Sequence, residues 1–288
     1  MFTLRSVLWA IAVFATSTAI SRAAPQGPES TTEEFMAKLS YQQGKVDLQG
    51  GLATLKLSPD FRYLDSEQSR RVLVEAWGNP PELAEGVLGM IFPTTLGLLD
   101  DDGWGVVITY EEDGYVSDEG AEKTNYDKRL TAMQAAAREA SKERQQAGYK
   151  PVELVGWVEL PHYDRLAHKL YWAKELKFGD SASHTLNYEI RVLGRRGVLV
   201  LTAVAAMDRL SAVKSALTKV LARVEFNEGH RYADYVPGKD QVTEYGIAAL
   251  VAGSVFRNQV RDDQGLAKAE FNEGHRYTDY VPGKDQSR

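Results

Sequence analysis

Consecutive extended segments between residues 152 and 204 constrain the fold of this chain more than any other feature. "VELVGWVEL" comes first, "HKLYWAKELKF" and "TLNYEIRV" alternate apolar with polar residues, and "VLVLTAV" follows the turn "LGRRG". A period of two residues places successive side chains on opposite faces of a strand, and a short turn joins antiparallel neighbours. The pattern predicts an antiparallel sheet with the hairpin 186–204 at its centre.

The alternation also predicts which side chains are buried. One face of "HKLYWAKELKF" carries Leu170, Trp172, Leu176 and Phe178, opposite Tyr171, Glu175 and Lys177. One face of "TLNYEIRV" carries Leu186, Tyr188, Ile190 and Val192. We therefore expect Trp172 to be mostly buried beside the central hairpin.

Helical signals flank these strands. An N-cap at Asp65 or Ser66 begins a helix that must stop before "GNPP", and a stripe of apolar residues spaced three and four apart begins at Tyr126. The last helix is predicted to start at its cap, Asp208, and to end with "VEF" at residues 224–226. "KVDLQGGLATLKL" predicts an early hairpin, and "VLGMIFP" and "WGVVITY" predict short buried strands. Helices separated by runs of hairpins indicate an α+β fold, with a mostly antiparallel sheet flanked by helices in a single domain at residues 41–236.

The first residues have the features of a secretory signal peptide. Arg5 precedes the uncharged, largely apolar run "SVLWAIAVFATSTAI", and "SRAAP" offers small residues of the kind that a signal peptidase recognises. The run of about 15 residues is short for a membrane-spanning helix, which needs about 20. The alternative interpretation is a buried helix. We expect a signal peptide at residues 1–23, a flexible leader at residues 24–40, and export to the periplasm or cell envelope.

Charge and cysteine content exclude several classes of function. The chain has 40 acidic and 34 basic side chains, a net charge of −6. Removing residues 1–23 takes away two arginines and makes the net charge about −8. Such a balance argues against nucleic acid or anionic lipid head groups as general partners. The absence of cysteine excludes disulfides, thiol nucleophiles and cysteine metal ligands.

One peptide occurs twice near the end of the chain. Residues 225–241, "EFNEGHRYADYVPGKDQ", recur as residues 270–286 with Thr278 in place of Ala233 as the single change, and we call them the first copy and the second copy. Two units do not make a repeat architecture, whose units must stack on one another. The second copy also lacks the apolar helix that precedes the first. We therefore expect residues 237–288 to form a tail in which residues 257–288 pack poorly and the second copy has no function of its own.

No residue pattern establishes a catalytic, cofactor or metal site. The acidic clusters at residues 100–102 and 111–113 do not match the calcium-binding loop, and the five histidines lack the spacing of a helical metal site. The chain has no G-x-S-x-G elbow and no glycine-rich loop that precedes a helix to bind phosphate. We therefore predict no catalytic residues and no cofactor.

A binding surface is the remaining hypothesis for a site. Aromatic residues such as Trp104 and Tyr115 could contact a peptide or a sugar, although aromatic residues at alternating positions also form cores. Arg195 and Arg196 lie at a predicted hairpin tip, where they could meet an acidic partner or remain solvated. These four residues are the predicted binding surface.

Eight motifs, taken in order, resemble a bacterial family of membrane-anchored proteins called domain of unknown function 2167. They are "FRYLDSE", "WGNPP", "VLGMIFP", "EDGYVSD", "ELVGWVELPHYD", "HKLYWAKEL", "LNYEIRVLGRRGVLVL" and "VEFNEGHRYADY". The similarity covers about residues 40–255, and the family implies an exported domain attached to the membrane, with no assigned reaction. Members typically continue past "YGIAALVAGG" into apolar anchors, whereas this chain departs after Phe256, so we expect no such anchor there. The order of elements also resembles the α-β-α sandwich of photosystem extrinsic-subunit-like proteins.

Two hypotheses of function follow from these observations. The first is a non-catalytic binding or scaffold domain at the membrane of the cell envelope, whose partner is an envelope or inner-membrane protein and not a nucleic acid. The second is an envelope hydrolase that uses dispersed carboxylates and a histidine, which would need titratable groups within hydrogen-bond reach in one cleft. The missing catalytic motifs favour the first.

Overall fold

The computed structural model describes residues 32–97, 100, 103–119, 126–221 and 224–251. The predicted signal peptide and the second copy lie outside these residues. The strands are β1 (Lys45–Leu48), β2 (Ala53–Lys56), β3 (Phe61–Asp65), β4 (Val87–Pro93), β5 (Gly105–Glu111), β6 (Val152–Asp164), β7 (Lys169–Phe178), β8 (Thr185–Leu193), β9 (Val198–Ala206) and β10 (Val224–Phe226). The α-helices are α1 (Thr32–Ala37), α2 (Ser66–Arg71), α3 (Tyr126–Gln146) and α4 (Leu210–Leu221), and residues 247–251 are also helical.

The strands form two antiparallel sheets. The large sheet has the order β3-β4-β5-β9-β8-β7-β6, and the small sheet has the order β1-β2-β10. In the large sheet the hairpin of β8 and β9 lies between β5 and β7, because β9 pairs with β5 and β8 pairs with β7. The predicted α+β class and the central position of this hairpin are confirmed.

The two faces of the large sheet are covered by different elements. The face that carries Ile190 packs against the small sheet and against α4, whose Val213, Leu217 and Val220 are buried. We call it the Ile190 face. The opposite face carries Trp172, which is fully buried as predicted, and we call it the Trp172 face. Because both faces are covered, β8 is buried along its whole length.

Three separate elements cover the Trp172 face. The helix α2 and the π-helical turn that continues it (Val72–Ala76) pack over β3, β4 and β5. The helix α3 packs over β6 and β7 through Met133 and Ala137. The helical residues 247–251 pack over the ends of β7, β8 and β9. Polar side chains of the sheet lie in the space between these apolar clusters.

Local signals of the sequence explain most element boundaries. The carboxylate of Asp65 accepts a hydrogen bond from the backbone N–H of Gln68, so the predicted N-cap of α2 is confirmed. After α3, Gly148 has φ +86°, a left-handed conformation that favours glycine at a helix end. The helix α1 falls within the predicted leader, and its Phe35 is buried against α2.

The last helix differs from the prediction at its start and at its end. A 3₁₀ turn (Met207–Arg209) without a side-chain cap precedes α4, so the predicted cap at Asp208 is wrong. The helix ends at Leu221, and Val224–Phe226 forms β10. The edge of β2 explains the second difference, because it offers backbone partners to Val224 and Phe226. Among the described residues, no helix is long and apolar enough to cross a membrane.

Candidate functional site

One end of the large sheet brings together three of the four residues predicted for the binding surface. At this end β5, β6 and β8 finish and β7 and β9 begin, and we call it the loop end. Tyr115, Arg195 and Arg196 lie there, in the loops that follow β5 and β8. Trp104 is buried in the core beside Phe61, so it is not part of this surface. That the other three bind a partner stays a prediction.

Four aromatic rings form a column at the loop end. Tyr115 stacks on Tyr232 at 4.5 Å and on Tyr235 at 3.9 Å between ring centroids, and His168 lies 4.2 Å from Tyr232. Two near-parallel rings so close to one ring must cover opposite faces of it, which gives the order His168, Tyr232, Tyr115, Tyr235. We call this arrangement the aromatic column. It joins the β6–β7 hairpin, the loop after β5 and the first copy.

Backbone contacts hold Tyr115 in the centre of the column. The N–H of Tyr115 donates to the carbonyl of Gln241 (2.8 Å), and its carbonyl accepts from the N–H of Thr243 (2.9 Å). The preceding Gly114 has φ +115°, and a Cβ there would lie 2.8 Å from the carbonyl oxygen of Gln241. A glycine is therefore required for this close approach.

The tyrosine hydroxyls around the column are hydrogen-bonded and remain protonated. Tyr232 donates to the carbonyl of Val116 (3.1 Å), and Tyr163 donates to the Asp118 carboxylate (3.0 Å). Burial raises the pKa of Tyr163, and its hydrogen bond to Asp118 raises it further. Burial also raises the pKa of Tyr232. A raised pKa favours the neutral phenol, and both hydroxyls are hydrogen-bond donors.

The two arginines of the β8–β9 hairpin bind the first copy through Asp240. Arg195 binds this carboxylate in a bidentate manner, through hydrogen bonds of 2.7 Å from Nε and 3.0 Å from Nη2. Arg196 Nε lies 3.5 Å from the same carboxylate, with its side chain 55% exposed. The hydrogen bond from Arg195 lowers the pKa of Asp240 to about 2, with a further contribution from the backbone N–H of Val236. Arg195 therefore has a structural partner inside the chain, and Arg196 keeps half of its side chain accessible.

The tip of the β6–β7 hairpin presents an apolar side chain to solvent. Asp164 Oδ1 accepts from the backbone N–H groups of Leu166 (3.0 Å) and Ala167 (3.1 Å), which fixes the turn. Leu166 is 96% exposed. His168 closes the turn with φ +50°, which a histidine adopts at some cost. The tip is thus rigidly held and yet exposes a leucine.

A row of charges lies under the loop end on the Trp172 face. Lys174 pairs with Glu189, Glu189 with Arg191 (3.2 Å), and Arg191 with Glu111 (2.7 Å), and we call this the charge row. Lys174, Glu189 and Arg191 have side chains at most 2% exposed. The charges therefore compensate one another inside the protein, and this arrangement is structural rather than open to a ligand.

The alternation of polar and apolar residues in the sequence does not reveal the charge row. Glu189 and Arg191 alternate with Tyr188 and Ile190, which is also the pattern of a strand with one solvent-exposed face. The available signal was the run "VLVLTAV", because a neighbour buried on both faces leaves β8 little contact with solvent. Burial opposes the charge of Glu189, but Lys174 and Arg191 together outweigh that effect and lower its pKa.

A second polar group lies on the Ile190 face, near β6 and β7. His184 Nδ1 lies 2.5 Å from Glu175 Oε1 at the β7–β8 hairpin. Two residues before Glu175 on β7, Ala173 faces Glu159, which contacts Lys214 (2.5 Å) and accepts from the Tyr188 hydroxyl (3.2 Å). These carboxylates are a quarter to a third exposed. We call this group the carboxylate patch. Within the described ranges, no three His, Cys, Asp or Glu side chains are arranged to hold a metal ion.

Comparisons with known proteins concern the family and the fold. A family model described as "Protein of unknown function (DUF2167)" matches residues 40–261. A search of curated proteins found no match.

Several solved structures resemble this chain at low identity. Cyanobacterial PsbP (CyanoP) from Synechocystis sp. PCC 6803 is 15% identical with a TM-score of 0.35, covering 71% of this chain and all of its own. The Saccharomyces cerevisiae Ran-binding protein Mog1p is 11% identical with a TM-score of 0.32, covering 69% of this chain and all of its own. LpqN, described as involved in cell envelope biogenesis of Mycobacterium tuberculosis, is 16% identical with a TM-score of 0.32, covering 70% of this chain and 99% of its own.

Proposed function

The chain belongs to the DUF2167 family of proteins of unknown function, and from the geometry of its own residues we propose that it is a non-catalytic binding domain of the cell envelope. The loop end is the interaction surface in this proposal, and the partner is a protein at the envelope membrane. The N-terminal pattern of residues 1–23 supports export.

The exposed Leu166 is the observation that carries the proposal. Three large hydrophobic side chains of the described residues are exposed, namely Leu160 (59%), Leu166 (96%) and Val242 (46%). Leu160 and Leu166 lie on the β6–β7 hairpin. Val242 forms an isolated parallel β-bridge with Tyr115 of the aromatic column. An apolar side chain on a rigid support loses little entropy on binding, and burying its surface against a partner is favourable.

The surroundings of Leu166 fit a protein partner. Arg165 beside it is exposed, and Tyr235 at the end of the aromatic column is partly exposed. Arginine and tyrosine are enriched at the energetic centres of interfaces. Because the hydroxyls stay neutral and Arg195 is bound to Asp240, the surface offers contact and hydrogen bonding rather than proton transfer.

Site-specific photo-crosslinking tests the proposal. A photoreactive residue at position 166 is compared with the same residue at Ala182, an exposed position on the β7–β8 hairpin at the opposite end of the sheet. We expect position 166 alone to label one envelope protein, and Leu166→Ser to weaken binding of the identified protein by on the order of thirtyfold or more. Equal labelling at both positions, or unchanged binding by Leu166→Ser, would contradict it.

Export is tested separately by the mass of the protein made in a Gram-negative host. The proposal expects a mature N-terminus at Ala24 in the envelope fraction. A chain that keeps residues 1–23 in the cytoplasm would contradict the localisation without affecting the binding surface.

The carboxylate patch supports a second candidate function, hydrolysis. Its observation is the close contact between His184 and Glu175, since a carboxylate that orients a histidine is a common arrangement in general base catalysis. Release of p-nitrophenol from p-nitrophenyl acetate by the purified protein tests it. Turnover that is lost in both His184→Ala and Glu175→Gln would favour hydrolysis, and turnover unaffected by either would exclude this patch.

A further inference from the structure

The turn that exposes Leu166 is held at both of its ends. At the start, Asp164 Oδ1 accepts from the backbone N–H groups of Leu166 (3.0 Å) and Ala167 (3.1 Å). At the end, His168 has φ +50°, in the left-handed region that costs a histidine free energy. A residue persists in such a conformation only where its surroundings hold it there. The contacts of His168 should therefore determine how well the turn is ordered.

Three contacts from different parts of the fold hold His168. Its carbonyl accepts from the backbone N–H of Leu193 at the end of β8 (2.9 Å). Its ring lies 4.2 Å from the ring of Tyr232 in the first copy. Its Nδ1 lies 3.3 Å from the hydroxyl of Tyr163 on β6. The backbone of His168 is thus tied to the large sheet, and its ring is tied to the aromatic column and to Tyr163.

The hydroxyl of Tyr163 links this contact to Asp118. It donates its single hydrogen to Asp118 Oδ2, at 3.0 Å. Burial and the neighbouring Asp118 raise the pKa of Tyr163, which favours the protonated phenol. The backbone N–H of Asp118 donates to the Tyr232 hydroxyl (3.2 Å), and Arg165 Nη1 lies 3.8 Å from Asp118 Oδ2. The carboxylate that receives the hydrogen of Tyr163 is therefore itself held in place.

The number of hydrogens sets the direction of the contact between His168 and Tyr163. A hydroxyl has one hydrogen to donate, and that of Tyr163 goes to Asp118. The Tyr163 oxygen can then only accept, so Nδ1 of His168 must carry a hydrogen. A neutral imidazole carries one hydrogen, on either nitrogen, and this contact selects the form with Nδ1–H. Hydrogen bonds therefore run from His168 through Tyr163 to Asp118, and we call this chain the tip relay.

We propose that Tyr163 and His168 are positioning residues for Leu166, and that the tip relay orders the turn before a partner binds. A turn that is already ordered loses less conformational entropy on binding. Without the relay, the left-handed conformation of His168 loses one of its supports, and the turn samples other conformations. The inference rests on the proposed function only in taking Leu166 as the binding residue, because the order of the turn can be measured in the free protein.

Nitrogen NMR of the unaltered protein tests the tip relay. At about pH 8.5, where a histidine is ordinarily neutral, the chemical shifts of the ring nitrogens distinguish the two tautomers. We expect Nδ1–H in His168, whose signals are assigned by their loss in His168→Asn. This preference should be lost in Tyr163→Phe, which keeps the ring and removes the hydroxyl. His184, whose Nδ1 contacts Glu175 at the opposite end of the sheet, is the control and should not change. A hydrogen on Nε2 of His168 in the unaltered protein would overturn the proposal.

Amide hydrogen exchange of Leu166 and Ala167 tests the positioning itself. Tyr163→Phe should accelerate exchange at both amides by on the order of threefold to tenfold, which is what the loss of one hydrogen bond corresponds to. The matched control is Tyr171→Phe, which removes a hydroxyl from the Ile190 face of the same hairpin and should leave both amides unchanged. Equal protection in the parent chain and Tyr163→Phe, or equal acceleration in both variants, would refute the positioning role.

Binding measurements separate this inference from the proposed function. Tyr163→Phe should weaken binding of the protein that is cross-linked at position 166 by on the order of threefold to tenfold. A loss in Leu166→Ser without a loss in Tyr163→Phe would refute the positioning role and leave the interaction surface intact. Unchanged binding by Leu166→Ser would refute the interaction surface and with it the binding role of the relay. The tautomer and exchange results, which need no partner, would still decide whether the relay orders the turn.

Discussion

Neutralising Glu189 should destabilise the domain more than any other single conservative change in the charge row. In Glu189→Gln, Arg191 keeps Glu111 as its partner, whereas Lys174, with its side chain 2% exposed, loses its carboxylate. Removing one partner of a buried ion pair costs about 3–5 kcal/mol, because the remaining charge is left uncompensated away from water. For a domain of this size, that corresponds to a melting temperature lower by about 6–20 °C.

The double variant Lys174→Met with Glu189→Gln separates this cause from a general loss of packing. It removes both charges and leaves the pair of Arg191 and Glu111, so we expect it to recover most of the stability lost in Glu189→Gln. Urea unfolding followed by tryptophan fluorescence measures the two single variants, Glu189→Gln and Lys174→Met, and the double variant. A loss below about 1 kcal/mol in Glu189→Gln, or a double variant whose loss equals the sum of the single ones, would refute the reasoning.

The pH dependence of this stability has a definite sign. Burial opposes ionisation of Glu189, but the attraction of Lys174 and Arg191 prevails and lowers its pKa in the folded state. A carboxylate with a lowered pKa stabilises the fold fully above its unfolded value, and this contribution is lost as the pH falls through the folded one. In Glu189→Gln the acid limb of the unfolding profile should therefore be flatter than in the parent chain.

Four further predictions concern other parts of the fold. Trp172→Ala should lower the free energy of unfolding by about 3–5 kcal/mol, measured in urea, because the ring is fully buried. Deleting residues 257–288 should leave the melting temperature almost unchanged, and a fall of more than a few degrees would contradict this. Gly194→Ala should cost about 1–3 kcal/mol, because the new Cβ meets the ring of Phe226. The Asp240 carboxylate should hold the first copy at pH values above 3.8, its ordinary pKa, and release it as the pH falls toward about 2, its pKa in the folded state. Amide hydrogen exchange in the first copy, corrected for intrinsic rates, should therefore accelerate over this interval in the parent chain. In Asp240→Asn it should stay independent of pH there.

The sequence predicts the elements of the fold better than their partners. Alternation and turn residues are local, so the central hairpin and the burial of Trp172 could be predicted from short segments. Val224–Phe226 was assigned to a helix because its apolar spacing suits one, and only the edge of β2, about 170 residues earlier, makes it a strand. Pairing over such a distance leaves no mark in the local pattern.

The same difference between local patterns and long-range contacts applies to the candidate site. Tyr115 and Arg195 could be singled out by residue type and by a turn, but their contacts, Tyr232 and Asp240, lie in the first copy and are brought to them by tertiary packing. Trp104 shares the residue type and is buried in the core. Composition alone cannot separate an aromatic residue of the core from one of a surface, because both are favoured by the same large apolar area.

The contacts of the first copy also set the order in which a growing chain can complete its structure. Thr54 on β2 binds Asn227, a residue that is synthesised 173 positions later. Until then the small sheet consists of a two-stranded hairpin with an open edge, and the column lacks two of its four rings. An isolated hairpin of this kind is marginally stable in water. A nascent chain therefore exposes this edge for most of its synthesis. Chaperones that bind unpaired strands can act on it until β10, which ends at Phe226, has emerged.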